Sequence, residues 1–78
     1  MTRSHTLEER ALEALCSRSS VRLHCRDYAT DRNLEGIVGK LVSIHAGAEP
    51  LVRWVEVRPE GEDYDVTVLL VYGAVEYL

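Results

Sequence analysis

Histidine and cysteine are the residue types here with the broadest chemistry. His24, Cys25 and His45 could hold a transition metal, and Cys16 supplies a second thiol. Zinc needs several ligands converging on one point, and neighbouring residues of a strand point to opposite faces. His24 and Cys25 therefore cannot readily chelate one ion. Cys25 reads as a small core residue, His24 as solvent-facing, and Cys16, beside a helical apolar stripe, as core. No glycine-rich phosphate loop or nucleophile elbow is present, so no cofactor is implied. Ser, His and Asp all occur, but a cleft of enzyme size is hard to build from 78 residues. The expectation is a protein that is not an enzyme.

Binding chemistry is better represented. Arg22, His24 and Arg26 alternate along one strand face, and with Lys40 and Arg53 they would form a basic strip. Trp54 or Tyr72, with Gly73 beside the latter, would offer a stacking surface, so these residues make a candidate site for single-stranded RNA. The simpler reading is a solvated strand face. Trp54 and Val52 share a face opposite Val55 and Val57, so Trp54 is either buried by a bent barrel or part of a contact surface. Exposed aromatics are enriched at binding hot spots, which makes Trp54 a candidate partner residue. Glu56, Glu60, Glu62, Asp63 and Asp65 cluster around one turn. Such a run is usually a solvated hairpin, but it could also mimic nucleic acid to a basic partner.

Whole-chain arithmetic favours the acidic surface. The formal charge is −4, split as six Arg against five Asp/Glu up to Asn33 and three Lys/Arg against eight Asp/Glu after it. Dedicated nucleic-acid binders usually carry a basic excess. The chain is one small domain with a thin core. No apolar run is long enough to span a bilayer and no secretory leader pattern is present, so the expected address is the cytoplasm. Two cysteines make neither a metal quartet nor a disulfide framework.

The elements that must position these residues follow from period. Thr6 and Glu9 form a capping-box pattern, Glu8 and Glu9 suit the positive end of a helix dipole, and Leu7, Ala11, Leu12, Ala14 and Leu15 make one apolar stripe. A helix is predicted over about 7–17, and a barrel over about 20–78. Val21, Leu23 and Cys25 alternate with Arg22, His24 and Arg26 as a half-buried strand. Asp27–Asn33 is a polar loop. Leu34–His45 is a long strand that Gly36 and Gly39 should bend. Ala46–Pro50 is a turn, Leu51–Arg58 a third strand and Pro59–Asp63 a turn. Tyr64–Tyr72 is a fourth strand, Gly73 a corner, and Ala74–Leu78 a fifth. One helix and five short strands predict a mainly β fold, an N-terminal α-helix followed by a five-stranded antiparallel small barrel of the Sm-like or SH3 type, closed or nearly closed, since closure removes exposed edges.

The run Leu69–Leu78 is similar to the second Sm motif, and Gly36-Ile37-Val38-Gly39-Lys40-Leu41 resembles the Gly-containing strand of the first. The resemblance implies an Sm-like fold and a homo-oligomer formed through the fourth and fifth strands. It departs from the family at Tyr72, where the Arg of an Arg-Gly pair belongs, and at Ile44–Pro50, which lacks the uracil-holding stretch. Within that class, Leu12–Cys16, Val21–Asp27, Leu34-Glu35-Gly36, Glu49 and Leu51 resemble the Rof family, small acidic proteins that bind the transcription terminator Rho. That likeness implies a protein-binding modulator of a nucleic-acid-handling machine, acting in antitermination. The alternatives are an Sm-like RNA-binding oligomer and a phage-type acidic inhibitor of a host nuclease or polymerase. The expected partner is a protein with a basic surface, which would meet Trp54, Glu60, Glu62, Asp63 and Asp65.

Overall fold

In the computed structural model, which describes residues 7–47 and 53–78, the change of period at Ser20 is the change from helix to sheet. Helix α1 spans Leu7–Ser17, with Glu8 and Glu9 in its first turn. Thr6, the first half of the expected capping box, lies outside the described residues. The helix ends in a hydrogen-bonded cap: Arg18 turns into the left-handed region (φ 56), and the Ser19 N–H donates to the Ala14 carbonyl at 3.1 Å. Its buried face is narrower than the stripe predicted. Ala11 and Ala14 are buried, and Leu7 and Leu15 pack half-buried against the core. Leu12 is 47% exposed, and Cys16, expected in the core, is exposed. Two alanines let the helix lie close to the sheet, and residues 12 and 16, one turn apart, then share the solvent side.

Five strands follow: β1 (Ser20–Leu23), β2 (Val38–Ala46), β3 (Arg53–Pro59), β4 (Val66–Leu69) and β5 (Val75–Tyr77). They form one sheet in the order β4-β3-β2-β1-β5, antiparallel at every pairing. Val21 and Leu23 of β1, Leu41 of β2, Val55 and Val57 of β3, and Val66 and Val68 of β4 fall in one buried cluster with Leu34, Leu70 and Ala74. The sheet gathers this cluster on one face, so the fold is mainly β and barrel-like. The expected closure is not reached among the described residues, because β4 and β5 stand at the two ends of the sheet and do not pair with each other.

Several boundaries differ from expectation. β1 stops at Leu23, although His24 still donates its N–H to Ala74 beside β5 at 2.9 Å. Leu34–Ile37 is a turn and not the start of the second strand: the Ile37 N–H closes onto the Leu34 carbonyl at 3.0 Å, and Gly36 takes φ +83. Leu34 is an anchor, 1% exposed. The irregularity expected at the glycines of β2 lies between Leu41 and Ser43, where the register with β3 shifts. Gly39 instead permits a close approach, because a Cβ there would sit 2.3 Å from the Arg58 carbonyl oxygen. The expected turn at Ala46–Pro50 and the start of the third strand, Leu51 and Val52, fall largely outside the described residues. β4 covers Val66–Leu69, starting two residues later and ending three residues earlier than the expected span Tyr64–Tyr72. Among the described residues, no helix is long and apolar enough to cross a membrane.

Candidate functional site

Two surfaces carry the residues singled out from sequence. The first is the outer face of the β3–β4 hairpin. Val55 and Val57 point inward, so Trp54, Glu56 and Arg58 alternate on the other side. Trp54 stands opposite Leu69 of β4 and His45 of β2, and its ring stacks on the His45 imidazole with centroids 5.6 Å apart. Trp54 is half-buried, so it presents part of an indole face fixed by a cross-strand neighbour. Beside it, Glu56 Oε1 accepts from the Ser43 hydroxyl at 2.7 Å and lies 3.2 Å from His45 Nε2. These bonds hold the Glu56 carboxyl below its usual range, with the Ser43 contact the larger cause. The trio does not form a nucleophile relay. In such a relay the histidine meets serine and carboxylate through different nitrogens, whereas here Nε2 meets both.

The far end of the same hairpin is its acidic turn. Arg58 donates to Asp65 at 2.8 Å, and that contact raises the Arg58 pKa. Glu60, Glu62 and Asp63 are exposed at the tip. Six strand steps separate Trp54 from Glu60, roughly 20 Å at the strand rise. All five residues proposed for a partner thus belong to one hairpin, with an aromatic at one end and three exposed carboxylates at the other. Tyr64 extends this surface. It is 38% exposed, and the Arg32 guanidinium lies 5.8 Å from its ring centroid, which brings the 27–33 loop alongside.

The second surface is the expected basic strip, and its charges are largely spent within the chain. Arg22 donates to Glu76 at 3.2 Å. His24 lies between two carboxylates, Nδ1 2.5 Å from Glu35 and Nε2 2.8 Å from Glu76. Donating from both ring nitrogens requires the imidazolium form. The pKa of His24 is accordingly raised, first by Glu76 and then by Glu35, and that of Glu76 is lowered, chiefly by His24. Arg26 pairs with Asp31 at 2.9 Å, and Arg53 with Glu8 at 3.4 Å. Lys40 is exposed on β2, where it stands opposite Ser20 and Arg58. The structure brings Arg22 and His24 together on Glu76 and leaves Arg26 and Arg53 with separate partners.

Tyr72 and Gly73 form the corner between β4 and β5, with Gly73 at φ +85. Tyr72 is 94% exposed and borders a groove of about 410 Å³ that His24, Arg10 and Tyr77 also line. Arg10 lies 5.3 Å from the Tyr77 ring centroid. Arg10, Glu35, Glu76, Tyr77, Tyr28 and Tyr64 are the residues that sequence reasoning missed. Glu76 and Tyr77 owe their position to pairing across the sheet, as with Arg22 and Glu76, 54 residues apart, and Arg10, Tyr28, Glu35 and Tyr64 lie on the helix and in turns or loops. Among the described residues no group of His, Cys, Asp and Glu is placed to hold a metal ion, and Cys25 is half-buried, its thiol pKa pushed up by burial. No protein-family model, curated protein or solved structure matches the chain.

Proposed function

We propose that this chain is a non-enzymatic protein-binding module that presents the acidic end of its β3–β4 hairpin to a basic partner. The observation that carries the reading is the contrast between its two charged surfaces. Arg22, His24, Arg26 and Arg53 are each engaged by a carboxylate of the chain, while Glu60, Glu62 and Asp63 stand exposed at the hairpin tip. With a formal charge of −4, the long-range field attracts a positive groove and repels a phosphate backbone. Trp54 and Tyr64 supply aromatic area along the same hairpin, the kind of surface that governs dissociation. Proteins that handle nucleic acid offer such grooves, and the likeness to the Rof family makes Rho the specific candidate.

A second reading, RNA binding by an Sm-like module, draws on one feature, the exposed Tyr72 ring at the mouth of the groove that holds Arg10. Offering the immobilised chain purified Rho and, separately, poly-U RNA at low salt distinguishes the two. The protein-binding reading expects retention of Rho and none of poly-U. Retention of RNA without Rho overturns it.

A further inference from the structure

The strand order leaves β4 and β5 at the two ends of the sheet, and an end strand offers unpaired backbone groups to any other extended chain. β5 is a weak template, only three residues long. β4 has only four residues, Val66–Leu69, but it continues into Leu70-Val71, and the whole run Val66-Thr67-Val68-Leu69-Leu70-Val71 is uncharged, rich in β-branched residues and free of proline, the composition that pairs with copies of itself. Its outer edge is nevertheless covered at its centre. The Tyr28 N–H donates to the Thr67 carbonyl at 2.8 Å, and the Thr67 N–H points to Asp27 Oδ2 at 3.4 Å. A loop of the chain occupies the position a neighbouring strand would take, the same edge through which the Sm resemblance implies a homo-oligomer.

The loop is built for this. Asp27 is the only buried charged residue among those described, 5% exposed. Its other oxygen, Oδ1, accepts from the N–H groups of Ala29 at 2.8 Å and Thr30 at 3.1 Å, so one carboxylate both shapes the loop and fastens it to the strand. The Asp27 N–H closes the loop base onto the Arg32 carbonyl at 2.7 Å. Arg26 clips the far side, reaching Asp31 Oδ1 at 2.9 Å and the Asp31 carbonyl at 2.7 Å, and Asp31 takes φ 60. We propose that the 27–33 loop is an edge guard, latched by Asp27, that prevents a second copy of this chain from adding to β4. The occupant it excludes is a second copy because the guarded strand is a sequence suited to pairing with itself. This inference does not rest on the acidic tip of the hairpin having a partner.

Sedimentation equilibrium tests it. The wild-type chain is expected at its monomer mass of 8.8 kDa into the high micromolar range. Asp27→Ala frees the edge, and its mass is expected to rise with concentration to twice the monomer or more. The double variant Asp27→Ala/Thr67→Pro is expected back at the monomer mass, since proline removes the outward N–H and is tolerated on an edge strand. An oligomeric wild type, a folded Asp27→Ala that stays monomeric, or association that survives Thr67→Pro overturns the proposal. Arg26→Ala, a change at an exposed site, gives an answer even where Asp27→Ala fails to fold. It is expected to speed hydrogen exchange of the Tyr28 amide at least tenfold while leaving Val68 unchanged, and equal rates at Tyr28 overturn the latch.

Discussion

Replacing Gly39 with alanine places a methyl group against the backbone of β3. The new Cβ would lie 2.3 Å from the Arg58 carbonyl oxygen, 2.8 Å from the Arg58 carbonyl carbon and 2.9 Å from Pro59 Cα. None of these atoms is the end of a flexible side chain, so β2 and β3 must separate by about 1 Å to restore ordinary contact. That movement weakens one or two ladder hydrogen bonds near the Gly39–Pro59 pair, each worth about 1 kcal/mol. Overpacking adds about 1–3 kcal/mol, for a total of about 2–5 kcal/mol. A chain of this size is stable by only about 4–12 kcal/mol. At about 4–8 °C per kcal/mol, Tm should fall by about 8–40 °C in thermal unfolding followed by far-UV circular dichroism. Gly36→Ala is the matched control: its φ is +83 but no atom lies within 4 Å of the added Cβ, so only left-handed strain of about 1–2 kcal/mol applies. A Gly39→Ala protein melting within about 3 °C of wild type, or above Gly36→Ala, refutes the close approach of β2 and β3.

Leu23 is wholly buried and Leu12 is 47% exposed, so in urea titrations Leu23→Ala should cost about 3 kcal/mol and Leu12→Ala under about 0.5 kcal/mol; equal losses contradict the helix orientation. The His24 pKa is raised above its ordinary 6.5, so its stabilising effect is present below that value and disappears as pH rises through the folded-state pKa. The Glu76 pKa is lowered from 4.5, so its contribution is present above that value and disappears as pH falls through the folded-state pKa. The stability difference between wild type and His24→Asn should therefore peak in mildly acidic solution and shrink on both sides, and a pH-independent difference rules out the double clamp. Both pairs are solvent-exposed, so salt should shrink the same difference.

How much was legible in the sequence depended on how local the determining interactions are. The helix over Leu7–Ser17 matched its expected span, because its acidic first turn and apolar period lie within eleven residues. The inward alternation of Val21 with Leu23 and of Val55 with Val57 is equally plain, whereas Val66–Val71 is apolar at every position but Thr67 and does not show which residues face the core. Which side of the helix would be buried was not. Leu12 looked as suitable as Ala11 until the close fit against the sheet selected the smaller residues. The basic strip could be seen as a list of cations, but the strand register that sets Glu76 beside Arg22 and His24 could not. The sequence sets Trp54 on the face opposite Val55 and Val57 without deciding whether that face is buried, and its stacking on His45 depends on a β2–β3 pairing. Gly36 and Gly39 looked alike in a strand pattern. One proved to be a turn residue and the other a point of backbone contact.

The central claim is that the hairpin tip draws a basic partner by charge. Its most direct test is the association rate of the chain with purified Rho, measured by stopped flow at low and high salt. The comparison is wild type against the triple reversal Glu60→Lys, Glu62→Lys and Asp63→Lys. Asp65 is left alone because it holds Arg58. Each reversal adds two units to a formal charge of −4, and steering of this kind changes association rates by about 10-fold to 10³-fold. The reversal should slow association at least tenfold at low salt and far less once screening falls below about 10 Å, with the dissociation rate little changed. An association rate indifferent to both salt and the three reversals contradicts the account.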